Sequence, residues 1–292
     1  MEFLNYLISG LSLGSIYAII ALGYTMVYGI AKMLNFAHGD VIMVGGYISF
    51  CAFTYLNLPV ILAVILAMVV CTVLGIIIEG LAYKPLRQAT SLAVLITAIG
   101  VSYFLQNSAL LIWGASPKVY TPVVSGQFQL FGGQLKISYV TALTIVVCIV
   151  IMLILTWFTG QTKMGKAMRA CSEDKGAAQL MGINVNKTIS TTFAIGSALA
   201  AVAGVLLCSF SPSLMPTTGS MPGIKAFTAA VFGGIGSIPG ALLGGILLGI
   251  IESLAKAYIS TQMANAILFA VLIVVLLVRP AGLLGKYVPE KV

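Results

Sequence analysis

Residues 41–78 form an uncharged run that reads VIMVGGYISFCAFTYLNLPVILAVILAMVVCTVLGIII. A membrane-spanning helix needs about 20 apolar residues, so this run is long enough for two crossings. Asn57-Leu58-Pro59 interrupts it near the middle. Because proline and the residue before it resist the helical conformation, the run predicts two membrane helices joined by a tight turn.

Composition extends this interpretation to the whole chain. Of its 292 residues, 60% are hydrophobic and 8% are charged, and the mean hydropathy is +1.10, whereas a soluble domain has about 25% charged residues. We therefore predict an all-α polytopic integral membrane protein, a bundle of eight or nine transmembrane helices in which residues 1–292 form a single domain. The other uncharged runs of sufficient length are 3–31, 88–117, 137–162, 188–224, 226–251 and 257–278.

The polar segments leave no room for a separate catalytic domain. The two longest, 115–137 and 160–187, are far below ordinary domain size. The string GQTKMGKA at 160–167 comes close to the phosphate-binding loop GxxxxGK[ST], but Ala167 has no hydroxyl for magnesium and a membrane helix precedes the string where that loop requires a strand. With a single histidine and scattered acids, we also expect no metal site. The chain is predicted not to be an enzyme and to bind no cofactor.

Basic residues indicate how the bundle is oriented, because lysine and arginine concentrate in cytoplasmic loops. We place the loop at 160–187, the loop after residue 79 and the C-terminal tail in the cytoplasm, and the N-terminus and the loop at 114–137 outside. The residues that support this assignment are Lys84, Arg87, Lys163, Lys166, Arg169, Lys175, Lys187, Arg279, Lys286 and Lys291.

The alternation of crossings requires one more membrane segment between residues 210 and 238. The segment at about 223–237 is the candidate, short for a span and rich in glycine at its end, including Gly233, Gly234 and Gly236. Broken helices persist at membrane depth only where protein or a water-filled cavity satisfies the backbone. This short or broken helix therefore indicates either a transport path or a helix end packed against a neighbour. The four-residue spacing of Gly236, Gly240 and Gly244, and of Gly245 and Gly249, predicts close helix packing, with a pore lining as the alternative.

Ionisable residues give little sign of a site within the membrane. His38 and Asp40 could form a proton relay or a polar pair at the membrane surface. Glu79, with Lys84 and Arg87 nearby, and Glu252, one turn before Lys256, are expected near an interface. The deep polar candidates are uncharged and could instead serve hydrogen bonds between helices: Thr97, Ser102, Gln106 and Asn107 on the fourth span, and Ser190, Thr191, Thr192 and Ser197 on the sixth. Since a proton-coupled carrier usually places an ionisable group within its spans, we expect the energy for transport to come from outside this polypeptide.

The cytoplasmic loop contains a short helix that we expect at about 173–181. Ser172 is its predicted N-cap, Glu173 and Asp174 lie in its first turn, and Gly182 follows its end. A helix this short is not stable alone in water, so its apolar residues require a packing partner. That partner is either the chain's own bundle or a cytoplasmic subunit. The apolar residues are Ala177, Ala178, Leu180 and Met181.

Three motifs in this chain resemble those of a known family. The pattern Ala177-Ala178-x-x-x-Gly182 is similar to the coupling-loop motif of ABC-importer permeases, with Gly176 where a glutamate usually stands. The segments LNFAHGD at 34–40 and GIKAFTAAVFGGIGSIPGA at 223–241 resemble signatures of Liv-type branched-chain amino acid permeases of the H-subunit type. Asp40 stands where glutamate is more usual, and the similarity runs from about residue 10 to residue 285.

The resemblance implies a subunit of a bacterial inner-membrane importer for leucine, isoleucine and valine. Such an importer has two non-identical permease subunits, two cytoplasmic subunits that bind ATP and magnesium, and a periplasmic substrate-binding protein. The chain would then have a coupling helix that docks on the ATPases, and lipid but no nucleic acid among its partners. The coupling residues are Glu173, Asp174, Ala177, Ala178, Leu180, Met181 and Gly182. Our candidates for the translocation path are Asn35, His38, Asp40, Thr97, Gln106, Asn107, Thr228, Gly233, Gly234 and Gly236.

Other classes remain open from the sequence. Related permeases carry urea or short amides, and the delivery protein is not in this sequence. A stand-alone channel would explain the glycine-rich broken segment. An ion-coupled carrier is a further alternative, because backbone carbonyls of an unwound helix can hold sodium.

Overall fold

A computed structural model describes residues 2–130 and 135–285. Short π-helical and 3-10 turns, Glu79–Tyr83 and Lys84–Leu86, extend the third helix. The helices in this part of the chain are α1 (Glu2–Ala31), α2 (His38–Thr54), α3 (Val60–Ile78), α4 (Ser91–Trp113), α5 (Tyr139–Gln161), α6 (Lys163–Glu173), α7 (Lys175–Leu180), α8 (Val185–Phe210), α9 (Ser220–Gly233), α10 (Ile238–Tyr258) and α11 (Ala264–Val278). Four short strands, β1 (Lys118–Val119), β2 (Gln127–Leu130), β3 (Leu135–Ser138) and β4 (Ser213–Leu214), form the antiparallel pairs β1–β4 and β2–β3.

The predicted class, an all-α polytopic membrane protein, is confirmed. Within the described ranges, six helices are long and apolar enough to cross a membrane, namely α1, α3, α4, α5, α8 and α10. The predicted eight or nine spans are reached only when α2, α9 and α11 are added, with 17, 14 and 15 residues. The predicted break in the run 41–78 is present: α2 ends at Thr54, Pro59 is the N-cap of α3, and Asn57 has a positive φ of 48°.

Small residues allow the central helices to pack closely. α1 and α8 are the most buried spans, and α10 lies along α1, where a Cβ added at Gly249 would collide with the backbone of Gly14. A Cβ added at Gly244 would likewise collide with the carbonyl of Ala229 in α9. A Cβ added at Gly245 would collide with the backbone of Ala18 in α1. Gly244, Gly245 and Gly249 therefore serve helix packing, as predicted, rather than a pore lining. Gly236 does not belong to this stripe, because it lies in the turn before α10 with a φ of 93°.

Helices α2 and α9 both begin inside the bundle rather than at its ends. The His38 ring packs against Gly23, which precedes the end of α1 by eight residues, or about 12 Å along the axis. Gly39 lies against Gly219 and Gly223 at the start of α9. From this meeting point the two helices run in opposite directions. Ser49 of α2 bonds to Tyr120 beside strands β1 and β4, and Phe232 of α9 accepts from the backbone of residue 283.

The predicted short or broken segment is thus an intact half-length helix, three residues earlier than expected. The basic segments meet at the end of the bundle toward which α9 runs: Lys175 contacts Ala31, and Arg87 contacts Asn186. The chain at 283–284 bonds to α9 at the same end. Lys286 and Lys291 lie outside the described residues, and the side of the membrane that this end faces stays a prediction.

Candidate functional site

A cleft of about 350 Å³ lies between α2, α4 and α9, next to the point where α2 and α9 begin. Part of its lining is polar, with one carboxylate, one amide and three hydroxyl groups, and the rest is mainly hydrocarbon. The cleft therefore offers a polar region and an apolar wall within one space. The lining residues are Phe36, Asp40, Leu95, Ile99, Ser102, Tyr103, Gln106, Ser220 and Ile224.

Gln106 connects the polar groups of this cleft. Its amide nitrogen donates to the Asp40 carboxylate at 2.9 Å and lies 3.2 Å from the hydroxyl oxygens of both Ser102 and Ser220. Asp40 is in the first turn of α2 and Ser220 is the first residue of α9. The meeting of α2 and α9 thus brings together side chains that are 180 residues apart in the chain.

A second cleft of about 360 Å³ adjoins the first, with Tyr103 and Gln106 in the lining of both. It contains Asn107 and the segment Met215–Thr217 that leads from β4 into α9. The Asn107 amide donates to the carbonyl of Tyr103 at 2.7 Å. The two clefts, which together we call the groove, lie next to each other along α4, the second one nearer the end of the bundle that carries β1 and β4.

The structure brings Asp40, Gln106 and Asn107 to this groove, but it separates the other predicted path residues from it. Asn35 accepts a hydrogen bond from Tyr83 at 2.9 Å, and the Thr228 hydroxyl donates to the carbonyl of Ile224 in its own helix. Thr97 is half-buried on α4 outside the lining of both clefts. Gly233, Gly234 and Gly236 form the turn between α9 and α10.

The predicted pairing of His38 with Asp40 is wrong. The His38 ring packs edge-on against Tyr24 at a centroid distance of 4.6 Å, whereas Asp40 faces α4. Residues two apart on a helix point to different faces, so neighbouring positions in the sequence did not imply contact. Neither the proton relay nor the surface polar pair is formed.

The expectation that no ionisable residue lies within the spans is wrong, because Glu252 belongs to the span α10, whereas its position relative to the membrane interface stays a prediction. Glu252 is fully buried between α1, α9 and α10. Its carboxylate accepts from Lys225 at 2.7 Å, from Lys256 at 2.6 Å and from Tyr17 at 2.9 Å. The sequence revealed Lys256, one turn away, but it could not reveal Lys225, which belongs to another helix.

Glu79 has the partner that the sequence indicated. The Arg87 guanidinium forms an ion pair with it, and the Ser190 hydroxyl donates to its other oxygen at 2.6 Å. Arg87 also bonds to Asn186 at the start of α8. This network ties the end of α3 to α8 at the end of the bundle where α7 lies.

The predicted helix at 173–181 is two helices instead of one. Asp174 separates α6 from α7, and its carboxylate accepts from the backbone of Gly176 at 2.7 Å and of Ala177 at 3.0 Å. The N-cap of α7 is thus Asp174 and not Ser172, whose hydroxyl donates to the carbonyl of Arg169 within α6. Aspartate is as good an N-cap as serine, so residue type alone could not decide between them. The chain leaves α7 through Gly182, whose φ of 81° favours glycine.

The apolar residues of α7 divide between two environments. Ala178 is buried against Met26, Met168 and Cys171, so the helix packs on its own bundle through this residue. Leu180 and Met181 are 90% and 83% exposed. Ala177 and Glu173 are also exposed. The short helix is therefore anchored on one side and presents an uncovered apolar tip on the other.

A lysine joins α7 directly to the first span. The Lys175 ammonium donates to the carbonyl of Ala31, the last residue of α1, at 2.7 Å. Burial lowers the pKa of Lys175, and the positive charges of Arg87 and Lys32 lower it further. A movement of α7 would thus reach the carboxyl end of α1 through a hydrogen bond as well as through packing.

The spanning helices are apolar, a groove lies beside two helices that begin inside the bundle, and a short exposed helix lies in a basic loop. These features define a polytopic membrane transport protein. The profile of the family described as "branched-chain amino acid transport system / permease component" matches residues 6–276, and the chain belongs to this family.

Curated relatives match along all or most of the chain. The branched-chain amino acid permease BraD of Pseudomonas aeruginosa and LivH of Escherichia coli are each 46% identical to it, over 100% of this chain and 98% of theirs. The probable LivH of Methanocaldococcus jannaschii is 32% identical over 77% of this chain and 72% of its own length. The solved structure of PsaBC from Streptococcus pneumoniae aligns with this chain at a TM-score of 0.47 and 15% identity. The alignment covers 94% of this chain and 90% of the PsaBC chain.

Proposed function

We propose that this chain is the permease subunit of a binding-protein-dependent ABC importer for branched-chain amino acids. Full-length similarity to high-affinity branched-chain amino acid permeases supports the substrate class. The importer would lie in the bacterial inner membrane, with the N-terminus periplasmic and the loop that carries α7 cytoplasmic. ATP and magnesium would be bound by two partner ATPases, and the chain itself would be non-catalytic.

The observation that carries this proposal is the uncovered tip of α7. An exposed leucine and methionine side by side on an anchored helix leave apolar surface that a partner can bury, and burial of such a side chain contributes about 1.5–3 kcal/mol. In our proposal the tip inserts into an ATPase subunit. The anchor at Ala178 and the bond from Lys175 to Ala31 then transmit the movement of the ATPases to the bundle. Those movements bias the bundle between outward- and inward-facing states.

The groove between α2, α4 and α9 is the part of the path that we assign to this chain. It opens on the surface of the bundle between α4 and α9, where Tyr103 and Ile224 are exposed. We infer that a second, non-identical permease subunit supplies the opposite wall. A periplasmic binding protein would deliver substrate at the end of the bundle that carries β1 and β4.

The test is ATP-driven uptake of labelled leucine by the complete complex in proteoliposomes, with Leu180→Glu as the variant. A charge at a buried hot spot costs 2 kcal/mol or more, so we expect uptake to fall about 30-fold or more and the ATPases to be lost on co-purification. Gln161→Glu adds the same charge at another exposed position of this loop and is expected to leave uptake unchanged. Ala178 is unsuitable, because a large side chain there would disturb the bundle itself.

Four results would contradict the proposal. Wild-type uptake by Leu180→Glu would exclude docking through the tip of α7. Leucine flux without ATP would indicate a channel, and flux that stops when the ion gradient is collapsed at constant ATP would indicate an ion-coupled carrier. Uptake of labelled urea but not of leucine would place the chain with the urea and amide permeases.

A further inference from the structure

Asp40 differs from the other buried acids in the described part of the chain. Glu79 pairs with Arg87, and Glu252 pairs with Lys225 and Lys256. Asp40 is 1% exposed and forms no ion pair with any residue that the structure describes. A charge within a membrane bundle is costly and usually marks a functional position. The chain therefore leaves this carboxylate available to a cationic group from outside the chain.

The position of Asp40 shows what such a partner can be. The carboxylate lies in the wall of the 350 Å³ cleft, a size within the range of small-molecule sites. The apolar side chains of Leu95, Ile99 and Ile224 line the same space. A ligand that carries a cationic group next to a hydrocarbon group is complementary to both parts of this lining.

A third feature of the cleft suits an anionic group. The hydroxyls of Ser102 and Ser220 and the amide of Gln106 can donate to a carboxylate. Ser220 is also the first residue of the 14-residue helix α9, and the positive end of a helix dipole favours an anion. Discontinuous membrane helices in other transporters direct their N-termini at anionic substrate groups in the same way.

We propose that this cleft binds the free amino acid during transport, with the substrate α-ammonium on the Asp40 carboxylate. The substrate carboxylate lies toward Ser220 and Gln106, and its branched side chain lies on Leu95 and Ile99. This inference rests on the proposed function and adds how the transport path discriminates between substrates. Urea or a short amide would leave the Asp40 charge uncompensated, so the cleft discriminates in favour of an amine.

The experiment measures equilibrium binding of two ligands to the detergent-solubilised complex of permease subunits and ATPases, without the periplasmic binding protein, which would itself bind leucine. One ligand is leucine, and the other is 4-methylpentanoate, which is leucine without the ammonium group. We expect Asp40→Asn to weaken leucine binding about 10-fold or more, as expected for a direct contact in a double-mutant cycle, and to leave 4-methylpentanoate unchanged or tighter. Asp40→Glu keeps the charge and is expected to bind leucine more tightly than Asp40→Asn. Ile99→Ala serves as the apolar control and should weaken both ligands by a similar factor.

The outcomes separate this inference from the proposed function. Equal losses of both ligands in Asp40→Asn would show a merely structural role for Asp40 and overturn the site. Unchanged leucine binding in that variant, or no leucine binding to a wild-type complex that takes up leucine, would overturn it as well. A wild-type complex that takes up no leucine at all would instead contradict the proposed function. Co-elution of each variant with its partner subunits on size exclusion shows that the complex is assembled.

Discussion

Asp40 and Glu252 are both acids buried inside the same bundle, and their surroundings differ completely. Glu252 has two lysines and a tyrosine on its carboxylate and lies where α1, α9 and α10 meet. Asp40 has the Gln106 amide and lies on a cleft. Two equally buried acids therefore have different tasks. Glu252 has cations of its own chain beside it, whereas Asp40 has none among the described residues.

The physical basis of the difference is charge compensation. Removing one partner from a buried ion pair is strongly destabilising, because it leaves the other charge without compensation. Replacing Glu252 by a neutral residue leaves the buried charge of Lys225 without its carboxylate. Replacing Asp40 leaves no charge in the described chain without its partner. Stability should therefore depend on Glu252, and function on Asp40.

The largest expected effect on stability comes from Glu252→Gln. The amide still accepts hydrogen bonds, but it leaves the buried ammonium of Lys225 uncompensated, which costs about 3–5 kcal/mol. The measurement is the unfolding midpoint of the purified chain in a mixed-detergent titration. We expect Glu252→Gln to unfold at a clearly lower denaturant fraction than the wild-type protein.

A double variant tests whether charge compensation is the cause. Glu252→Leu combined with Lys225→Met removes both charges and fills the space with apolar atoms, a change that is often neutral for a buried pair. We expect it to recover most of the stability lost in Glu252→Gln. A double variant as unstable as Glu252→Gln would show that packing or the bond to Tyr17 is what matters at this site.

Arg87→Met should have an intermediate effect. The Glu79 side chain is 2% exposed and that of Arg87 is 16% exposed, so the pair lies between a surface salt bridge, worth about 0–1 kcal/mol, and a fully buried one. Glu79 retains the hydroxyl of Ser190, which limits the loss. We expect Arg87→Met to lower the free energy of unfolding by about 1–3 kcal/mol in the same titration. A loss as large as that of Glu252→Gln would contradict this ranking of the acids by compensation.

The sequence predicted well what depends on local pattern. The uncharged runs predicted the class of fold, Asn57-Leu58-Pro59 predicted the turn between α2 and α3, and the glycine spacing after residue 240 predicted the close packing of α10. Each of these depends on residues within one helix or one turn. The apolar face of α7 was likewise predictable, although its N-cap moved from Ser172 to Asp174.

The sequence could not predict contacts between helices that are distant in the chain. Lys225 was part of a quoted motif, but its pairing with Glu252 depends on how α9 packs against α10. Ser220 was not among the predicted path residues, because nothing in the string Thr217-Thr218-Gly219-Ser220 marks the start of a helix at the middle of the bundle. His38 was predicted to pair with Asp40 because the two are close in sequence, yet their side chains face different helices.

The smallest expected effect on stability is that of Asp40→Asn, and it completes the comparison. The asparagine oxygen still accepts from Gln106, and no cation in the described chain loses its partner, so the free energy of unfolding should stay within about 1 kcal/mol of the wild-type value. Removing an uncompensated charge could even stabilise the bundle, as is common where a functional position is optimised for activity. If Asp40→Asn instead unfolded as readily as Glu252→Gln, Asp40 would be a structural group like Glu252, and its lack of a cation would not identify a binding site.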